Sequence, residues 1–108
     1  MVMLSILLMG FLSACENRVE SYARYVEDLA DLAVARQGDC EALLPELEAY
    51  VKSNQEEIYE IGKGLSDAEV RQLEQRVEEP MRRYKAMTEA CREEADFVLA
   101  LLFEALMD

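Results

Sequence analysis

The side chains that could do chemistry in this sequence are carboxylates and three cysteines, and histidine is absent. Acidic clusters at residues 56–60 and 93–96 contain the residue type of an acid/base pair or a metal site. Carboxylate di-iron bundles also use Glu-x-x-His motifs, which a chain without histidine cannot form. The sequence has no calcium-loop spacing, Gly-rich phosphate loop or Cys-x-x-Cys motif. We therefore expect solvated helix faces at both clusters, with no catalytic residue, no metal and no cofactor.

The first cysteine, Cys15, ends a segment that differs from the rest of the chain. Twelve of the first fifteen residues are apolar, and every charged side chain lies at or beyond Glu16. As a helix, fifteen residues rise about 22 Å, which is less than the roughly 30 Å of a membrane's hydrocarbon layer. A membrane-spanning helix is therefore not expected. The length instead matches the hydrophobic region of a secretory signal peptide.

The end of this segment, Leu12-Ser13-Ala14-Cys15, resembles the lipobox of bacterial lipoproteins, in which an aliphatic residue and two small residues precede a cysteine. The resemblance implies that residues 1–14 are a signal peptide and that residues 15–108 form the mature domain. It further implies that acyl chains such as palmitate on Cys15 anchor the protein to a membrane of the cell envelope. Because Glu16 rather than Asp follows the cysteine, the outer membrane, facing the periplasm, is favoured.

Two observations keep an alternative open at this terminus. Met1-Val2-Met3 lacks the Lys or Arg that opens a signal peptide, so either the start codon lies upstream or the signal is a poor one. The alternative to a lipoprotein signal is a buried helix that ends in Cys15.

The other two cysteines are Cys40 and Cys91, and an even pair in an oxidising compartment predicts a disulfide. If the chain forms a hairpin around Gly64, these two positions lie at the same level and on inward-facing heptad positions. The alternative is two separate buried thiols.

The elements that must position these residues are helices, because apolar residues recur at spacings of three and four throughout the mature chain. Helices are predicted over residues 17–36, 40–61 and 66–107, and Ser66-Asp67-Ala68-Glu69 has the pattern of a capping box. We therefore predict an all-α fold, an antiparallel three-helix bundle stapled by a disulfide.

The third predicted helix is much longer than the others. It carries a seam residue at every seventh position: Val70, Val77, Tyr84, Cys91, Val98 and Ala105. Pro80 lies within it, either kinking one long helix or dividing it in two, and the unbroken heptad register favours the kink.

The part of this helix beyond its partners, the overhang at residues 95–107, is apolar nearly all the way round. It should point away from the membrane. Its cover could be a fold-back within the monomer, a second copy of the chain in a homo-oligomer, or another envelope protein, unless the bundle simply closes differently over ordinary core. The candidate partner-binding residues are Phe97, Leu99, Leu102, Phe103 and Leu106.

The charge balance and the residues present exclude some classes of function. A net charge of −12 and a pI near 4.4 argue against binding nucleic acid. No catalytic constellation can be assembled, so the protein is not expected to be an enzyme. The leading hypothesis is a lipid-anchored envelope protein that acts through protein–protein contacts, as an accessory or structural subunit. The alternative is a periplasmic holdase-type chaperone or stress-response protein.

The lipobox makes a prediction about Cys15. Replacing it with Ala removes the thiol that accepts the lipid, so the Cys15→Ala protein should remain unlipidated and uncleaved. Metabolic labelling with a tagged fatty acid and intact-protein mass spectrometry would measure both effects, with Cys40→Ala as the control that keeps the label. Normal processing of Cys15→Ala would rule out the anchor.

Overall fold

The computed structural model describes residues 18–37 and 39–107, so the predicted signal peptide and the predicted lipidation site, Cys15, lie outside the described residues. The α-helices in these ranges are α1 (Arg18–Ala35), α2 (Cys40–Lys63), α3 (Asp67–Arg76), α4 (Glu78–Met87), α5 (Arg92–Leu102) and α6 (Glu104–Met107). A 3-10 helix, Glu89–Cys91, joins α4 to α5. No strand occurs in these ranges, and the all-α prediction is confirmed.

The single long helix predicted over residues 66–107 is wrong, because the chain reverses direction at residues 88–91. The Tyr84 hydroxyl donates a hydrogen bond of 2.7 Å to the Ala95 carbonyl oxygen, across that turn. In a continuous helix, eleven residues would separate these positions by about 16 Å. The segment over residues 66–107 is therefore a helical hairpin with α3 and α4 in one arm and α5 and α6 in the other.

The reversal buries the apolar surface that a straight helix would expose. Ala95, Val98 and Leu102 are fully buried, and α5 packs against α2. At the turn, the Thr88 hydroxyl donates to the Tyr84 carbonyl oxygen at 2.8 Å, and Thr88 is itself buried. The fold-back within the monomer therefore covers most of the predicted overhang, and the hydrophobic gain outweighs the loss of helical hydrogen bonds at the turn.

A second break, at Val77, has its cause in Pro80. The proline lies in the first turn of α4, where its missing N–H needs no partner. In a continuous helix its ring would clash with the carbonyl of Arg76, so the helix yields there. The backbone bonds from Val77 to Leu73 and from Met81 to Val77 persist at 2.9 Å, which makes α3 and α4 one kinked arm.

The capping box predicted at the start of this arm is confirmed. The Glu69 amide donates to the Ser66 hydroxyl at 3.2 Å, and the Ser66 amide donates to the Glu69 carboxylate at 2.9 Å. The hydrogen bond from the Ser66 amide, aided by the Ser66 side chain, favours the ionised carboxylate and lowers the pKa of Glu69.

The bundle has four helical segments, α1, α2, the α3–α4 arm and the α5–α6 arm, rather than the three helices that the sequence predicted. The Arg18 guanidinium donates to the Gly64 carbonyl oxygen at 3.1 Å, and Arg36 pairs with Glu46 near the other end, so α1 and α2 are antiparallel. The α3–α4 arm packs on α1, and the α5–α6 arm packs on α2. The three-helix bundle is thus corrected to an up-down-up-down arrangement in which three of the four sides are packed.

The α5–α6 arm runs parallel to α2. Cys91 adjoins Cys40 at one end, and Ala105 lies against Gly62 at the other. Because Arg18 contacts Gly64, the end of α6 lies at the same end of the bundle as the start of α1. The apolar carboxyl-terminal arm therefore points toward the end of the bundle where α1 begins, and not toward the opposite end as the three-helix arrangement predicted.

The predicted pairing of Cys40 with Cys91 is confirmed by a disulfide with a Cα–Cα distance of 6.1 Å. The prediction that the two cysteines lie at the same height along the bundle is correct, since the turn at Gly64 brings residues 88–91 level with the start of α2. The prediction that they lie on two facing helices is wrong, because Cys91 is the last residue of the 3-10 helix at the reversal.

Removing the disulfide should destabilise the bundle strongly. The bridge closes a loop of 51 residues, and the chain-entropy model assigns such a loop about 4 kcal/mol. The double variant Cys40→Ala/Cys91→Ala should lose about that much unfolding free energy in urea denaturation. The unsubstituted protein in excess reductant is the control and should show the same loss; equal stability with and without reductant would contradict the prediction.

Candidate functional site

The unpacked fourth side of the bundle is an apolar groove between the α3–α4 arm and the carboxyl-terminal end of the α5–α6 arm. Its volume is about 660 Å³, within the range of small-molecule sites. One wall is formed by Val70, Leu73, Val77 and Met81, and the other by Phe103, Leu106 and Met107. The two arms are joined at the reversal and share few contacts away from it, and the groove lies between them.

The floor of the groove is part of the core. Leu73 is 1% exposed and Val77 is 5% exposed, so both belong to the core cluster that α1 and α2 also build. Met81, Phe103 and Leu106 are half-buried and form the sides. A ligand in the groove would therefore contact side chains that are held in place from below, and this favours a preformed site.

Phe103 is held in position by Tyr22. Their ring centroids are 5.9 Å apart and the rings are stacked, and the buried Tyr22 hydroxyl donates to the Leu102 carbonyl oxygen. Burial raises the pKa of Tyr22, so its hydroxyl stays protonated and remains a donor. This hydrogen bond satisfies a carbonyl at the end of α5, where Phe103 interrupts the helix. The aromatic wall of the groove is thus fixed by a residue of α1.

The rim of the groove carries charges of both signs, arranged by position. Glu74 and Glu78 lie beside the part near α6, whereas Arg82 and Lys85 lie toward the reversal. Arg82 and Lys85 also line a neighbouring cavity beside the turn, together with the acidic Glu89 and Asp96. The groove is therefore polarised, with its acidic side chains at one end and its basic side chains at the other.

Other arginines of the same arm are engaged in ion pairs with α1. Arg76 Nε lies 2.7 Å from Glu20 Oε2, and Arg83 Nη1 lies 3.1 Å from Asp31 Oδ1. These pairs hold the α3–α4 arm on α1. By contrast, neither Arg82 nor Lys85 forms an ion pair or a side-chain hydrogen bond with any residue of 18–37 or 39–107.

The five predicted partner-binding residues fall into three environments. Leu99 and Leu102 are core residues, at 6% and 0% exposure, so the monomer itself covers them. Phe103 and Leu106 line the groove. Phe97 is 61% exposed and lies outside the groove lining.

Sequence reasoning missed the opposite wall of the groove. Val70 and Val77 were recognised only as seam residues, and Met81 was not singled out. The seven-residue repeat identified the buried stripe correctly, but it does not show which side of the bundle lacks a packed neighbour. That information depends on the chain reversal.

The acidic clusters form no site in the part of the chain that is described. Glu56, Glu57 and Glu60 are exposed, and so are Glu93, Glu94 and Asp96. Residues 18–37 and 39–107 contain no group of three or more Cys, Asp or Glu that could hold a metal ion. No helix between Arg18 and Met107 is both long and apolar enough to cross a membrane.

Comparison with known proteins finds no family model, no curated protein and no solved structure that matches this chain.

Gly62 should matter for the groove, because it allows α6 to approach α2. A Cβ at Gly62 would lie 2.9 Å from Ala105 Cβ and 3.0 Å from the Tyr22 ring, both in the packed interior. Gly62→Ala should therefore lower the free energy of unfolding by about 1–2 kcal/mol, despite the better helix propensity of Ala.

Gly64→Ala is the matched control in this measurement by urea denaturation. Its Cβ would come close to the flexible end of Arg18, at 2.7 Å, and would otherwise make an ordinary contact of 3.5 Å with the Ile61 carbonyl oxygen; its φ of −87° suits any residue. It should therefore cost little. Equal stability of the two variants would show that the approach of α6 to α2 is not tight.

Proposed function

We propose that this chain is a lipid-anchored, non-catalytic protein of the bacterial cell envelope that works by protein–protein contact, as an accessory or structural subunit. The lipid on Cys15 would hold it at the outer membrane, facing the periplasm. The lipobox supports the anchor, because Leu12-Ser13-Ala14-Cys15 has the residue types of that signal. The partner is another envelope protein or a second copy of the chain.

The cysteine usage supports an oxidising compartment. Cys40 and Cys91 are joined in a disulfide, and such bonds persist mainly outside the cytoplasm. Cys15 is then the odd cysteine of three, and it stands at the lipobox position. A disulfide-bonded pair plus one cysteine at that position fits a small lipid-anchored periplasmic domain.

The main support for a role in protein–protein contact, rather than catalysis, is the apolar surface that remains on the α5–α6 arm after the fold-back. We call it the α5–α6 surface and define it by Phe97, Phe103, Leu106 and Met107. Met107 is 77% exposed and Phe97 is 61% exposed. Aromatic and Met side chains in such positions are the residue types enriched at protein interfaces.

The position of Leu106 supports a contact on the membrane side of the bundle, if Cys15 carries the anchor. Because α6 ends beside Gly62 and α1 begins beside Gly64, Leu106 lies at the end of the bundle from which the chain leads back to Cys15. A lipidated protein would thus present its groove mouth close to the membrane, where a membrane protein partner could reach it.

A holdase-type chaperone is the second candidate, and one observation favours it. The groove walls include Met81 and Met107, one from each arm. Methionine is flexible and polarisable, and surfaces rich in it accept many different apolar segments. A chaperone would therefore use the same surface for many clients rather than for one partner.

Site-specific photocrosslinking in living bacteria tests the proposal. A photoreactive phenylalanine analogue is placed in the full-length protein at Phe97, at Leu106 and, as the control, at Gln55 on the exposed face of α2. An accessory subunit should give one protein adduct, from Phe97 or Leu106 or both. Many adducts would indicate a chaperone, and an adduct of twice the monomer mass would indicate a second copy.

Two results would contradict the proposed function. One is the absence, at both Phe97 and Leu106, of any adduct above the level at Gln55. The other is recovery of the crosslinked or free protein from the cytosol, without lipid on Cys15.

A further inference from the structure

We propose that the apolar groove binds a free long-chain fatty acid, with its acyl chain along the two walls and its carboxylate at Arg82 and Lys85. This deepens the proposed function and rests on it for the compartment in which the ligand is met. The protein partner would then contact the remaining α5–α6 surface, above all Phe97.

The apolar length of the groove fits one acyl chain. From Val70 to Met81 the α3–α4 arm advances eleven residues, which is roughly 16 Å of apolar wall. One leaflet of a bilayer is half of the roughly 30 Å hydrocarbon core, so a membrane acyl chain extends about 15 Å. The opposite wall, from Phe103 to Met107, is shorter, about 6 Å as a helix, and lies away from the reversal.

The cations begin where the apolar wall ends. Arg82 follows Met81 directly, and Lys85 lies one turn further along the same helix. Five of the eleven basic side chains form ion pairs within the described residues. Of the other six, Arg82 and Lys85 are the two that line the groove.

The acidic rim sets the direction of the ligand. Glu74 and Glu78 flank the other part of the groove, where they would repel an anionic head group. The carboxylate therefore lies toward the reversal and the methyl end toward Leu106 and Met107. Arg82 and Lys85 are exposed, so they can bind the carboxylate while it keeps part of its hydration.

A fatty acid also explains the charge better than the other occupants do. An apolar protein segment or a second copy of this acidic chain would bury the walls but would not call for two free cations at one end. The protein's own acyl chains on Cys15 would carry no free carboxylate, because their carbonyls are esterified or amidated. In a free fatty acid the carboxylate is attached directly to the end of the acyl chain. This matches a groove in which the first cation, Arg82, directly follows the last apolar wall residue, Met81.

The test uses the full-length protein purified from bacterial membranes in a mild detergent. The probes are a long-chain fatty acid that carries a photoactivatable diazirine and the fatty alcohol of the same length. Labelling by the acid should exceed labelling by the alcohol about tenfold, since a charge-assisted contact supplies that factor. Peptide mapping should place the label on both groove walls, at Met81 and at Phe103 or Leu106.

Two double variants isolate the head group. In Arg82→Gln/Lys85→Gln, labelling by the acid should fall about tenfold, to the level of the alcohol, while labelling by the alcohol stays unchanged. In Arg24→Gln/Arg71→Gln, two charges are lost from exposed helix positions outside the groove, and labelling by the acid should persist. All four positions are on the surface, so these variants keep the fold.

A third variant tests the tail. Leu106→Trp fills the open end of the groove and should reduce labelling by both probes several-fold, with helical circular dichroism measured to confirm folding. If this variant does not fold, the surface charge variants decide the question without it.

Several outcomes would overturn the inference. They are equal labelling by acid and alcohol, unchanged labelling of Arg82→Gln/Lys85→Gln, label mapped away from the groove, and labelling by a two-chain phospholipid probe as strong as by the fatty acid. A protein adduct from Leu106 in the crosslinking experiment would overturn it too, while supporting the proposed function. Cytosolic recovery without lipid on Cys15 would refute the proposed function, whereas labelling of the purified protein would still support a fatty-acid site.

Discussion

The bond between Cys40 and Cys91 joins the first residue of α2 to the turn at which the chain reverses. The other arms depend on this placement. With Cys91 held at the start of α2, α5 runs along α2, and Ala95, Val98 and Leu102 are core residues. The hydrophobic gain of that burial and the constraint of the cross-link act in the same direction.

The same reversal leaves one side of the bundle open. α1 and α2 pack along a long interface, whereas the two arms of the hairpin share few contacts beyond their turn. Ion pairs from Arg76 and Arg83 hold one arm on α1, and the approach of Ala105 to Gly62 holds the other on α2. Each arm is thus drawn toward a different neighbour, and the groove lies between them.

Much of the local structure could be predicted from the sequence. The helical periodicity, the capping box at Ser66 and the level of the two cysteines depend on interactions within a few residues or on counting along a hairpin. The seam residues were also recognised correctly, for Tyr84, Cys91 and Val98 are all buried. A seven-residue repeat is preserved when a helix is interrupted by a turn that keeps the register, so it cannot distinguish one long helix from two arms.

What the sequence by itself determined is the helical class, the buried stripe, the cysteine pair and the polarity of each helix face, because these follow from side-chain type and spacing. Only the tertiary structure decided that the chain turns back at residues 88–91, where no Gly, Asn or Pro marks a turn. The physical reason is that the reversal is driven by burial of α5 against a helix about fifty residues earlier in the chain. The groove follows from that long-range contact, so local patterns could not reveal it.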